Sequence, residues 1–234
     1  MIEYVFKLYG LEEKTITEKI AELSGGESVG SEIIADGLDV KVVFRPENPS
    51  LNAFDLFIKG FLTAFDGNIY ALRDISLENQ LVDVLKLNDY KISVAESFTG
   101  GNLAARIISV PGASSVFYEG TVTYDEDAKI RRLGVKPESL KKFKAASSVV
   151  AEEMAVGLIE RSKCDIAVST TGLAGPSGDG SGLPIGLCYV GVACFGEVYS
   201  FKYNFSGSRG EIVEKGVRHA LLKAVKCLTR QVNR

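Results

Sequence analysis

The sequence predicts an α/β protein in two parts: a three-layer α/β/α sandwich with a mixed sheet over residues 76–234, preceded by a small α+β domain over residues 1–75. Three observations carry this. Short apolar runs such as Ile92-Ser93-Val94-Ala95 and Ile166-Ala167-Val168 read as buried strands and alternate with segments of helical spacing. Glycine-rich loops follow several of these runs. Leu187–Phe195 and Val198–Phe205 read as two long antiparallel strands, so the sheet cannot be purely parallel.

In the first part, Ile2, Tyr4, Phe6 and Leu8 alternate as a half-buried strand. A helix is expected from about Glu12 to Leu23, then a loop at Ser24-Gly25-Gly26 and a second alternating strand at Leu38, Val40, Val42 and Phe44. Phe54, Phe57, Ile58, Phe61, Leu62 and Phe65 recur every three or four residues, which predicts an amphipathic helix whose aromatic stripe is core. A short strand at Ile69–Leu72 closes the unit. In the second part, Ser76 caps a helix carrying Leu77, Leu81, Val84 and Leu85. The strand Lys91–Ala95 leads through Ser97, Thr99, Gly100 and Gly101 into a helix at Leu103–Ile108. A strand at Phe117–Tyr124 precedes a helix opened by Asp125 and ended by Gly134. Ser147 caps a helix bearing Val150, Met154 and Leu158, and a helix from about Glu211 to Arg230 ends the chain.

The bulk composition narrows the function. The 234 residues are 46% hydrophobic and 24% charged, an ordinary globular balance. A net charge of −3 gives no basic footprint for nucleic acid, and the Lys-rich run 136–144 reads as the solvated face of a short helix. No run approaches a membrane span, and Met1-Ile2-Glu3-Tyr4 lacks a signal-peptide pattern, so a cytoplasmic protein is expected. Cys164, Cys188, Cys194 and Cys227 are scattered, which argues for buried thiols rather than a zinc site or disulfide framework. With one histidine, no metal and no cofactor are expected.

Loops 97–101, 171–182 and 206–210 each follow a strand, and strand ends are where open α/β sheets build their sites. Ser97 sits at a strand–turn–helix junction, where it is either a nucleophile or a phosphate ligand. His219 lies mid-helix among apolar residues and reads as a packing residue, so a base for Ser97 has to come from elsewhere. Lys129, one turn into the helix after Tyr124, can serve if burial or a nearby cation lowers its pKa from about 10.4. Arg209 stands at a helix start, where a cation opposes the dipole, and this invites an anion-binding role. Glu96 is either an acid of the site or the outward residue of a strand end.

Five blocks in order resemble one family, the CinA C-terminal domain or nicotinamide-nucleotide amidase. They are Ala95–Gly101, Gly120–Tyr124 with Ala128-Lys129, Thr171–Pro176, Pro184-Ile185-Gly186 and Phe205–Arg209. The first 75 residues are similar, more loosely, to the KH-like domain of full-length CinA proteins, through Phe6–Leu11 and Asn68-Ile69-Tyr70. They lack a G-x-x-G loop, so RNA binding is not implied. No segment resembles the molybdopterin-binding-like domain that precedes this region in full-length CinA.

The resemblance implies a metal-free Ser/Lys amidohydrolase acting on a small pyridine nucleotide, nicotinamide mononucleotide, to release ammonia. Ser97 would be the nucleophile, Lys129 the base, Tyr124 a proton-transfer aid and Arg209 a support for the lysine or substrate. Thr99, Gly100, Gly101, Thr171, Gly172, Gly175 and Ser206 would contact the substrate, with amides of Thr99–Gly101 stabilising the oxyanion. Two places depart from the pattern. Phe98 replaces a commoner cysteine beside the nucleophile, and the loop before Pro184 has Leu183 in place of a lysine and its glycines rearranged (Ser177-Gly178-Asp179-Gly180-Ser181-Gly182). These departures leave open a non-catalytic module binding a nucleotide or protein partner, and an amidase for another carboxamide. The apolar strand Leu187–Phe195 is either internal or faces a partner; dimers are common in similar proteins, so the resemblance leaves a homodimer open.

Overall fold

A computed structural model describes residues 3–24, 30–46, 51–178 and 180–232. The chain divides into two compact units, residues 1–80 and 81–234. The sequence reading placed the division at 75/76.

The first unit contains β1 (Tyr4–Tyr9), α1 (Glu13–Leu23), β2 (Ser31–Asp36), β3 (Asp39–Phe44), α2 (Leu51–Ala64) and β4 (Ile69–Ala71). The strands form an antiparallel sheet of order β2-β3-β1-β4. The aromatic stripe of α2 is core, as its spacing predicts. Phe61 is fully buried, with its ring 5.1 Å from those of both Phe6 and Phe44 and 4.9 Å from that of Phe65. Strand β2 escapes the sequence reading because none of its six residues is fully buried. No apolar alternation marks it; the ladder to β3 and a two-residue turn with Gly37 at φ 59° define it instead. Gly25 and Gly26 of the expected loop lie outside the described residues.

Helix α3 (Leu77–Leu87) is capped by Ser76, whose Oγ accepts from Asn79 N at 3.4 Å. Then follow β5 (Ile92–Glu96), α4 (Asn102–Ile108), β6 (Phe117–Val122), α5 (Glu126–Leu133), α6 (Pro137–Phe143) and α7 (Ser148–Ser162). The chain continues through β7 (Ile166–Gly172), β8 (Leu187–Cys194), β9 (Glu197–Asn204) and α8 (Arg209–Val232). The sheet order is β6-β5-β7-β8-β9, with β6, β5 and β7 parallel and β8 and β9 antiparallel. Helix α7 packs on the sheet with α5 and α6 against it, and α8, with α4 packed on it, contacts β7 and β8. Leu133, Leu140, Val150, Met154 and Leu158 form one apolar layer with Ala95 and Ala167 of the sheet. Phe98, Ala174, Cys188 and Ile212 form another. The expected three-layer mixed sandwich is observed.

Local differences have local causes. Strand β6 stops at Val122 rather than Tyr124 because the carbonyls of Thr123 and Tyr124 turn to the Lys129 amine. The β8–β9 turn is Phe195-Gly196, both at positive φ, and the strained Phe195 ring is held 5.2 Å from Tyr90. Helix α8 starts at Arg209, where Ser208 and Glu211 cap one another. All four cysteines are buried free thiols. His219 packs between Tyr203 and Phe205, at 4.4 and 4.9 Å, and burial lowers its pKa to about 4. Among the described residues, no helix is long and apolar enough to cross a membrane, and no cluster of His, Cys, Asp or Glu could hold a metal ion.

Because Phe61 anchors the first unit, Phe61→Ala should cost about 3–5 kcal/mol in urea unfolding of that unit. Leu56→Ala, at a site 73% exposed, should change it by less than about 0.5 kcal/mol.

Candidate active site

The parallel strands β5, β6 and β7 end on the same side of the sheet, and a cavity of about 430 Å³ opens there. Of the residues singled out from sequence, Ser97, Tyr124, Lys129, Thr171, Gly172, Gly175 and Arg209 line it. Thr99, Gly100, Gly101 and Ser206 do not. A second cavity, among Ile108, Pro111 and Phe117, offers no ionisable side chain.

Ser97 follows β5 directly. Its amide donates to Thr170 O of β7 at 2.9 Å, and its carbonyl accepts from Gly100 N at 3.1 Å. The nucleophile candidate is thus fixed by its own backbone and is 7% exposed. Lys129 comes from α5, whose N-terminus is capped by Asp125 (Oδ1 accepting from Asp127 N at 2.8 Å) and whose end is closed by Gly134 at φ 68°. Gly157 lets α7 lie against this helix: a Cβ there would fall 1.6 Å from Leu133 O. Only a glycine permits that approach.

The Lys129 side chain is 1% exposed and its Nζ lies 3.1 Å from Ser97 Oγ. The same amine donates to Thr123 O at 2.8 Å and Tyr124 O at 2.9 Å. Burial lowers its pKa to about 8, while Glu126 and then Asp125 pull the other way. Of the two causes the sequence left open, burial is the one at work, and Arg209 is not a cause of the shift. A neutral amine has two protons and one lone pair. With both protons on carbonyls, the lone pair is left for the Ser97 hydroxyl proton.

Glu96 settles an alternative the sequence left open. It is 1% exposed, and its carboxylate accepts from Gly101 N (3.0 Å), Leu103 N (3.0 Å) and Ala104 N (2.8 Å) at the start of α4. Its own carbonyl accepts from Thr123 N at 2.8 Å. One residue therefore ties the nucleophile's strand to α4 and to the segment that holds the lysine. The expectation that amides of Gly100 and Gly101 hold an oxyanion is corrected by these bonds, since the Ser97 carbonyl and the Glu96 carboxylate already occupy them. Thr99 is fully buried and its hydroxyl meets that of Thr170 at 2.6 Å. Ser206 is exposed, and its carbonyl accepts from Lys215.

The Thr171 hydroxyl donates to Ala145 O at 2.7 Å, joining β7 to the segment before α7. At Gly172 a Cβ would meet Cys188 Sγ at 2.7 Å, so the strand pair needs glycine there. Arg209 donates from Nη1 to Gly175 O at 2.6 Å and from Nη2 to Tyr124 Oη at 3.1 Å, bridging two rims of the cavity. Phe98 is 4% exposed, with its ring against α8 where a Cβ on Gly216 would lie 2.4 Å away. Its bulk is absorbed by that glycine. Sequence reasoning missed Asp125 and Glu126 as cavity residues, because a helix start explains them equally well.

A buried lysine amine against a serine hydroxyl, on an α/β/α scaffold, defines a protein with a candidate serine–lysine dyad. The CinA C-terminal domain model matches residues 74–228, and the chain belongs to the CinA family. It is 39% identical over 225 residues to a competence-damage inducible protein of Caldicellulosiruptor saccharolyticus, covering 93% of this chain and 54% of that protein. A Clostridium botulinum protein of the same description is 37% identical over 227 residues, covering 88% and 56%. The chain thus spans about half the length of the curated relatives it matches. The crystal structure of a competence/damage inducible protein from Agrobacterium tumefaciens superimposes with a TM-score of 0.62 at 35% identity, covering 65% of this chain and 93% of that one.

Two outcomes follow. Glu96→Gln should cost about 2–3 kcal/mol in urea unfolding, since an NH2 replaces an acceptor facing buried amides. The lowered Lys129 pKa means the native state binds fewer protons than the unfolded chain between about pH 8 and 10.5. Burial of the ammonium is therefore costly below pH 8 and the cost fades above it. Relative to Lys129→Met, wild type should gain about 2 kcal/mol between pH 7 and pH 10.

Proposed function

We propose that this chain is a Ser/Lys amidohydrolase that converts nicotinamide mononucleotide to nicotinic acid mononucleotide and ammonia. The observation that carries the reading is the Lys129 amine 3.1 Å from Ser97 Oγ, with its remaining donors on the Thr123 and Tyr124 carbonyls. In this reading Ser97 Oγ attacks the carboxamide carbon as its proton passes to Lys129. The resulting ammonium returns a proton to the departing nitrogen, which leaves as ammonia with an ester on Ser97. Water then attacks the ester, with Lys129 again accepting the proton, and Ser97 is restored.

Among the described residues the amides of Phe98 and Thr99 take no partner in the structure, and they are the elbow's donors for the oxyanion in this reading. Tyr124 and Arg209 hold the rim over the dyad, and Arg209 supplies the cavity's positive charge on the side of a substrate phosphate.

Ammonia release from nicotinamide mononucleotide by the purified chain tests this directly. Ser97→Ala and Lys129→Ala should each lower turnover by at least about 10³-fold with the fold retained. Full activity in either variant overturns the dyad. In wild type, kcat/KM should rise with pH through about 8 and level off above it, as Lys129 loses its proton.

A further inference from the structure

Two carboxylates stand at this cavity with no role in the chemistry above. Asp125 and Glu126 line it, and each is exposed. The third acid of the same turn, Asp127, is not among the lining residues and pairs with Arg131. Neither Asp125 nor Glu126 forms an ion pair among the described residues. Asp125 uses one oxygen to cap α5, which leaves the other uncommitted.

For a general-base lysine this placement is adverse. An anion close to Lys129 favours its ammonium form, and both acids act in that direction. Stabilising the start of α5 does not require them, because a neutral cap such as Ser or Asn serves that end. Something else at the site has to gain from negative charge. With Lys129 neutral, the charged side chains of the lining are Asp125 and Glu126 against Arg209.

Resting on the deamidase reading, we propose that Asp125 and Glu126 are specificity-determining residues that select a carboxamide attached to a cationic ring and disfavour the carboxylate product. A quaternary pyridinium carboxamide places its positive charge within a few bonds of the carbon that Ser97 attacks. The acids attract that ring and offset its cost of leaving water. While it is bound, its charge also opposes their pull on Lys129, so the base is not penalised during turnover. After hydrolysis the same ring bears a carboxylate in place of the amide. That new anion lies beside Asp125 and Glu126, and repulsion speeds its departure. The ring stays cationic in the product, so the new carboxylate offsets the acids' attraction; the acids thus favour substrate over product, which a helix-capping role would not do.

The test uses binding, so that differences in intrinsic amide reactivity between ring forms do not enter. In full-length Ser97→Ala, calorimetry would compare nicotinamide mononucleotide, its 1,4-dihydro form with an uncharged ring, and nicotinic acid mononucleotide. The cationic amide should bind about tenfold tighter than either of the others, the scale of a charge interaction in a partly exposed cleft. Adding Glu126→Gln and Asp125→Asn, which keeps the cap, should shrink both preferences to about twofold or less. Glu126→Gln alone should give a partial loss, and it carries the test if the double variant does not fold.

Equal binding of both ring forms, or a preference unchanged by the substitutions, overturns this proposal while ammonia release by wild type leaves the deamidase reading standing. A folded protein that neither binds nicotinamide mononucleotide nor releases ammonia from it overturns both.

Discussion

The site depends on one desolvated amine. Lys129 Nζ is removed from water by α5 and the end of β6, and that burial brings its pKa to about 8. At neutral pH an exposed lysine is a free amine in under about 0.1% of molecules, whereas a pKa of about 8 leaves roughly a tenth of the amine able to take the serine proton. Burial alone would leave an amine of arbitrary orientation; the carbonyls of Thr123 and Tyr124 direct it. Beyond Val122 the Thr123 amide still reaches Glu96 O of β5, but the Thr123 and Tyr124 carbonyls turn to the amine instead. The end of the strand and the protonation state of the lysine are one structural fact.

Glu96 connects this arrangement to Ser97. A buried carboxylate is costly unless its hydrogen bonds are satisfied, and three amides at the start of α4 satisfy this one. The N-terminus of α4 is therefore neutralised from within. The other charged side chains around the cavity are Arg209 and the acids that open α5, Asp125 and Glu126. A strand–turn–helix motif usually suggests an anion at the helix start; here the anion is part of the chain.

The two sequence departures from the family pattern fare differently. Phe98 borders the cavity beside Ser97 while its ring packs in the layer against α8, where Gly216 makes room for it. The change is compensated within the core. Leu183 lies in the 177–183 loop and is only partly buried; its amide is held by Ser181 Oγ at 3.2 Å. Leu183 is not among the cavity's lining residues, but Ser177 and Gly178 of the same loop are, so the loop reaches the cavity through its start rather than through Leu183.

Periodicity and glycine placement made most of the architecture of this chain legible. The core stripe of α2, the Asp125 and Ser147 caps, the Gly134 stop and the buried strands were all legible, because each depends on residues close in sequence. The motif blocks named the candidate dyad before any contact was known. Strand β2 was not legible, since an exposed edge strand buries nothing that would mark it. Nor was the role of Glu96, whose partners lie five to eight residues on but whose burial is set by the whole sheet. Nor could the sequence choose between burial and a nearby cation as the cause of the Lys129 shift. Charge can be read from a sequence, whereas desolvation exists only once α5, β5 and β6 have closed around the amine. Residue types fixed the available chemistry; the tertiary structure decided which groups are dry, which donors are spent and which acids face the cavity.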